Sequence, residues 1–415
     1  MSNREGLAKR AKRSVYVVTA HGRQSLDGGD NERIFELLQR KGIPWSGVAI
    51  YTASASGGPL QLTPCLDRRL DDFADGTEIY VYFNRNVNPF IFSLAQFQQV
   101  PALADAEATE YFYQRLDNGA SSASAFLKKL SPAECQSVIA ERVAETIRAT
   151  VPAGTDLVVG VSGGGDSNAL LYALSKLQAH QIRVHPVIIM GIPDWDQGVP
   201  RARELCGTYG LDLTVMDEQE VKALLGIPAD NLALIDRFER EFEGDDFEFL
   251  GTLLVRLALA KRARELGTSF ICTGLNLEDI LCEAMFRVSS GMEPAPFPAR
   301  VIGDMTLVFP LWLCPKRIID GCFPRMSLDN YESRYPCFSL GRNLYYSLVF
   351  SMQSQFPGFV EQLAHGLSEL ATKYPVSYTH DAALGFHVER FVPFPLREKF
   401  RRMLAGTDRP VLQVC

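Results

Sequence analysis

Ser162, Gly163, Gly164, Gly165, Asp166 and Ser167 have the types and spacing to hold a phosphate. Glycines let the backbone take positive φ and turn its N–H groups toward one point. A helix starting there adds unpaired donors and a partial positive charge, which suits an anion. No Lys follows the glycines, so this is not a Walker A loop. Three adjacent glycines also lack the spacing of a dinucleotide fingerprint. Asp166 stands instead at the mouth of the anion site, where a carboxylate is reasonable if a divalent cation lies between it and the phosphates. The competing reading is a glycine-rich turn without a ligand.

Two later stretches carry similar chemistry. In Thr273–Glu283, Gly274 permits close backbone approach and Asn276 can cap a helix. Glu278, Asp279 and Glu283 then fall near that helix start, either for electrostatic fit to its N-terminus or as cation ligands. In Phe309–Ile319, a strand ends in Pro310 and Leu311 before Lys316 and Arg317. These cations either offset the charge of a departing anion or form the solvated start of a helix.

The surrounding elements must position these residues. Leu157–Val161 reads as a buried strand ahead of the loop, and Ala169–Leu174 as the helix after it. Ser131, Pro132 and Glu134 predict a capped helix with Val138, Val143 and Ile147 on its apolar stripe. Strands are expected at Ile182–Met190, Leu211–Met216, Ser269–Thr273 and Thr306–Pro310. Helices are expected near Val199–Tyr209 and over Phe247–Leu266, the latter closed by Gly267. This alternation predicts an α/β fold, a parallel sheet with helices on both faces. Its ligands belong at the carboxyl ends of strands, where the topology switches.

The first part reads differently. Val15–Thr19, Val48–Tyr51 and Glu78–Phe83 look like strands, Asn31–Lys41 like an amphipathic helix, and Gly57–Pro59 and Asp75–Gly76 like turns. The expected layout is a small α+β recognition domain over 1–115 and a linker over 116–131 that includes Asn118–Ser124. A nucleotide-handling domain over 132–325 and a mostly helical region over 326–415 follow. A protein partner is expected through the first domain.

The chain has 415 residues, a net charge of −7 and nine cysteines without regular spacing. No apolar run reaches membrane-spanning length and no secretory leader is visible, so a cytoplasmic enzyme is expected. The acidic balance does not advertise a nucleic-acid protein. Local basic patches at Lys9, Arg10, Lys12 and Arg13, and at Arg397, Lys399, Arg401 and Arg402, could still serve one.

The pattern Ser-Gly-Gly-x-Asp-Ser after a strand resembles the PP-loop of the ATP pyrophosphatases. The resemblance implies that ATP is split to AMP and pyrophosphate while a substrate oxygen is adenylated. It implies ATP and Mg2+ as ligands, with Asp166 and Asp279 toward the metal and Ser162, Gly163, Gly164, Gly165 and Ser167 around the phosphates. Met190, after the second strand, would pack on adenine. Thr273–Glu283 resembles the family's Gly-His-Asn-x-Asp-Asp element, with Gly274, Asn276 and Asp279 retained. Leu275 replaces the His and Glu278 the first Asp. Lys316 would act in catalysis on the pyrophosphate side. With Tyr335–Ser339 and Phe356–Gly358, the order is similar to the tRNA-thiolating branch, close to the lysidine-forming one, over roughly residues 135 to 370.

One departure matters. Thiolating relatives carry Cys-x-x-Cys-Gly where this chain has Phe247 to Gly251, with Phe247 and Leu250 at the cysteine positions. Only Cys337 stands at a plausible third position, as a nucleophile or as a small buried apolar residue. Phe and Leu cannot bind iron, so an iron–sulfur cluster is not expected. Two functions follow: an adenylating enzyme of tRNA nucleobase modification, or one that forms a C–N bond on a small molecule or protein. A non-catalytic ATP-binding module leaves the paired acids without purpose. Leu37–Tyr51 and Leu70–Phe83 resemble ubiquitin-like β-grasp proteins of sulfur-carrier type, although no Gly-Gly tail is present.

Overall fold

Val15, Val17 and Val18 are buried along strand β1 (Ser14–Thr19), which pairs antiparallel with β2 (Gly22–Leu26). In the computed structural model the described residues are 13–19, 22–29, 31–53, 59–63, 66–84, 103–106, 109–116, 123–191, 193–227, 231–242, 247–324, 342–356, 358–382, 384–389 and 394–405. Helix α1 (Ile34–Arg40) follows, burying Ile34, Leu37 and Leu38. It starts later than the sequence pattern suggests, because Asn31 has φ 64° and Arg33 is its N-cap. Strands β3 (Val48–Ala53), β4 (Leu60–Leu62), β5 (Glu78–Phe83) and β6 (Leu103–Ala106) complete a sheet of order β2-β1-β5-β3-β4-β6. Within it β1 runs parallel to β5, and β3 runs antiparallel to β5.

Strands β7 (Thr109–Leu116) and β8 (Ala123–Leu130) pair antiparallel, so the interval expected to be a linker contains a strand. The chain divides into two compact units. Met1–Cys135 and Lys316–Gln362 form the first, and Gln136–Pro315 and Leu363–Cys415 the second. In the first, the Trp45 indole N–H donates to the carbonyl of Ser354 at 2.8 Å. This ties the helix Arg342–Gln355 to the turn ahead of β3.

Helix α2 (Pro132–Thr150) has the expected cap: the Ser131 amide donates to Glu134 at 2.8 Å and the Glu134 amide to the Ser131 hydroxyl at 3.3 Å. Its buried face is Cys135, Ile139, Val143 and Ile147, with Val138 half-buried. Then come β9 (Asp156–Gly160), α3 (Gly165–Ser175), β10 (Arg183–Ile189), the short α4 (Pro193–Asp196), α5 (Val199–Thr208) and β11 (Thr214–Met216). Next are α6 (Glu218–Leu224), α7 (Leu234–Glu241), α8 (Phe247–Glu265), β12 (Phe270–Cys272), α9 (Leu277–Ser289), β13 (Ala299–Ile302) and β14 (Met305–Val308).

The second sheet has the order β11-β10-β9-β12-β14-β13. The described pairings are parallel except β13–β14, an antiparallel edge the sequence reading did not anticipate. Leu157, Val158 and Val159 are fully buried, as expected of a central strand covered on both faces. Helix α8 closes on β9 at Gly160, where a Cβ would meet Val255 at 3.3 Å. From β9 the chain moves outward through β10 and β11, then returns to the other side of β9 with β12. The switch point therefore lies between β9 and β12.

A hairpin, β15 (Tyr378–Asp381) and β16 (Phe386–Glu389), and the helices Phe359–Lys373 and Phe394–Ala405 follow in the last part. Among the described residues no helix is long and apolar enough to cross a membrane. Tyr335–Ser339 with Cys337, Pro357, Lys9, Arg10 and Lys12 lie outside the described residues.

Candidate functional site

The glycine loop leaves the carboxyl end of β9 with Gly163 at φ 76°, a conformation that favours glycine. It closes on itself: the Ser162 amide donates to the Ser167 hydroxyl at 2.9 Å, and the two hydroxyl oxygens lie 3.2 Å apart. Ser167 therefore braces the loop from the first turn of α3. Gly164 is the helix N-cap and offers no side-chain cap, so the first amides of α3 receive no side-chain acceptor there. Donors of this kind at a helix start are suited to an anion.

Ser162 is exposed, Gly163, Gly165 and Ser167 are buried, and Gly164 and Asp166 are half-buried. Asn168 is buried behind them and accepts from the Tyr209 hydroxyl at 2.8 Å.

The second element comes off β12, on the other side of the switch point. A Cβ on Gly274 would lie 3.9 Å from Asp166, so the two loops run against each other. Asn276 joins them. Its side-chain amide donates to the Asp166 carboxylate at 3.2 Å, and its oxygen accepts the Asp279 amide at 3.0 Å. Asp279 completes a capping box by accepting the Asn276 amide at 3.0 Å. Asp279 thus has a local structural task beside any role at a ligand.

Glu278, in the same turn, is 1% exposed. The Leu277 amide donates to the Cys314 carbonyl at 3.2 Å, so the third stretch braces the start of α9. Farther along α9, Arg300 holds Glu283 in a two-pronged pair at 2.8 and 3.1 Å.

Lys316 belongs to the first compact unit, is buried, and has its ammonium 3.3 Å from Asp320. Arg317 is buried too and donates to the carbonyls of Trp45 at 3.2 Å and Val48 at 2.6 Å. Both cations thus have partners inside the first unit, which spacing along the chain could not reveal. Met190 is half-buried just after β10, and its amide donates to the Met216 carbonyl at 2.9 Å.

The donor set fits the groups the sequence suggests. Hard oxygen from Asp166 beside the amides at the start of α3 would suit Mg2+, which keeps few protein ligands and several waters or anion oxygens. Among the described residues no group of three His, Cys, Asp or Glu side chains could hold a metal ion by itself. Cys135, Cys206, Cys272, Cys282, Cys314 and Cys322 are all buried. Burial pushes the Cys135 thiol up to about 12 and the Cys206 thiol up to about 11, and it raises Cys272 as well.

The loop also reaches α5, a helix that the sequence pattern predicts without linking it to the site. A Cβ on Gly163 would lie 2.6 Å from the Ala202 amide nitrogen, and one on Gly198 would lie 2.6 Å from the Ser162 carbonyl. The first turn of α5 is therefore seated on the loop backbone to backbone. Trp195, just ahead of α5, overlaps the space a Cβ on Gly251 of α8 would need.

No family model matches the chain, and no curated protein matches it. Among solved structures it is similar to the U34-tRNA thiolase NcsA from Methanococcus maripaludis with its [4Fe-4S] cluster. That match has a TM-score of 0.47 and 17% identity and covers 59% of this chain and 81% of that one. The chain is also similar to an NH3-dependent NAD synthetase from Campylobacter jejuni, with TM-score 0.34, 14% identity, and coverage of 61% and 100%. An NMN synthetase from Francisella tularensis gives TM-score 0.32, 14% identity, and coverage of 58% and 96%.

Proposed function

We propose that this chain is a PP-loop ATP pyrophosphatase, an enzyme that cleaves ATP to AMP and pyrophosphate to activate a substrate oxygen. The observation that carries the reading is the contact of Asn276 with Asp166 at 3.2 Å across the β9–β12 switch point. It joins two sequence elements 110 residues apart at the place where an open α/β sheet binds ligands. The amides at the start of α3 and the Ser162 hydroxyl hold the β- and γ-phosphates, with Ser167 fixing the loop. Bound Mg2+ would offset phosphate charge beside Asp166, with Asp279 next to it.

An oxygen of the acceptor attacks the α-phosphorus, the bond from α-phosphorus to the bridging oxygen breaks, and pyrophosphate leaves. A second nucleophile then displaces AMP. Catalysis comes from positioning and charge stabilisation. Met190 lines the adenine side.

For the acceptor, the order of the sequence elements supports a nucleobase of tRNA. Phe247 and Leu250 at the cysteine positions, with the net charge of −7, favour a second reading, in which the displacing nucleophile is nitrogen and the enzyme forms a C–N bond on a small molecule or protein. In the first unit, the order β2-β1-β5-β3-β4 with β1 parallel to β5 supports a ubiquitin-like β-grasp reading and a role in recognition.

Purified protein with ATP and Mg2+ is expected to release pyrophosphate once its acceptor is added, and Asp166→Ala to lose turnover by at least about a hundredfold. Full activity in that variant would sink the mechanism. Salt-dependent binding of tRNA tests the acceptor, and no binding at low salt would remove the tRNA reading.

A further inference from the structure

The loop lacks a cation of its own. Residues 161–168 include Asp166 and no Lys or Arg, so amide dipoles alone would face the negative charge of a triphosphate. The two cations suggested by sequence order, Lys316 and Arg317, are buried on Asp320 and on the carbonyls of Trp45 and Val48.

A different cation is rooted at the loop. Arg201, in the first turn of α5, has its Cβ 2.9 Å from where a Cβ on Gly163 would lie. The contact is built in by two glycines. Gly163 adopts φ 76° and admits the Ala202 amide, while Gly198 admits the Ser162 carbonyl. Any side chain at either place would lift α5 away from the loop. Arg201 is exposed, and its Cβ is rooted at the loop's edge. A planar fork of N–H donors is well matched to phosphate oxygens.

We propose that Arg201 is a phosphate-binding residue of this site, holding the β- and γ-phosphates of ATP and stabilising pyrophosphate as it leaves. The proposal rests on the reading of the loop as an ATP site. Arg203 supplies the control: it lies two positions along the same helix, is exposed, and points to a different side.

The test is calorimetric titration of the full chain with ATP, pyrophosphate and AMP in the presence of Mg2+. Arg201→Gln should weaken pyrophosphate and ATP by at least about tenfold and leave AMP within about twofold. Arg201→Lys should recover part of the loss as a point charge, and Arg203→Gln should match the parent protein. Equal affinities in Arg201→Gln and the parent would overturn the proposal alone, leaving the ATP reading intact. An equal loss of all three ligands would also overturn it, by assigning Arg201 a purely structural task. Failure of the parent chain to bind ATP or pyrophosphate would remove the ATP reading, and the proposal with it.

Discussion

Asn276 performs two tasks with two ends of one side chain, and substitution can separate them. Its oxygen caps α9 and its amide group holds Asp166. Asn276→Asp keeps the capping acceptor but puts a second carboxylate at a buried position, so stability should fall by about 2 kcal/mol in urea unfolding. The same change sets a carboxylate against Asp166, and turnover should fall at least about tenfold. Asp156 gives a prediction on pH. Arg183 and His185 donate to its carboxylate, each at 2.8 Å, and hold it well below the usual carboxylate range. A depressed folded pKa contributes stability above the unfolded value, lost as the pH falls through the folded one. Asp156→Asn should therefore cost about 1 kcal/mol at neutral pH, with the difference narrowing in strong acid, as urea midpoints across pH would show. At this scale the loop residues were legible because glycines, an acid and serines announce themselves by type. The partners of Lys316 and Arg317 were not legible, because tertiary packing supplies them.

Among the elements, the loop and α5 behave as one piece. Gly163→Ala combines an unfavourable φ with overlap on the Ala202 amide, and should destabilise the protein by about 2 kcal/mol. Gly164→Ala should be mild by the same thermal-unfolding measurement, since a Cβ there lies at an ordinary 3.6 Å from the Ser162 hydroxyl. The alternation of strand and helix was readable because buried strands and capped helices carry strong local patterns. Strand β5 and the cap of α2 follow those patterns closely. Strand β13 and the hairpin β15–β16 were not readable. They are four residues long and carry charged or exposed side chains, so no apolar run marks them. The seat of α5 was hidden too, because it depends on Gly163 and Gly198, which are far apart in the chain and similar to any other turn glycines.

For the whole molecule, strand order does what no single motif can. It sets β9 and β12 side by side, so that the glycine loop and the Asn276 element meet at one switch point. The same order does not choose the acceptor, which belongs to surfaces outside the loop. Two expectations differ at this scale: a tRNA modification enzyme should bind tRNA in a salt-dependent way, whereas a C–N bond-forming enzyme should consume an amine or ammonia. Both share the central claim that ATP is cut between its α- and β-phosphates. The direct measurement is phosphorus NMR of ATP and Mg2+ incubated with the full chain and with cellular RNA or small-molecule extract as acceptor source. The account predicts AMP and pyrophosphate in equal amounts, abolished by Asp166→Ala. Formation of ADP and inorganic phosphate instead would contradict it.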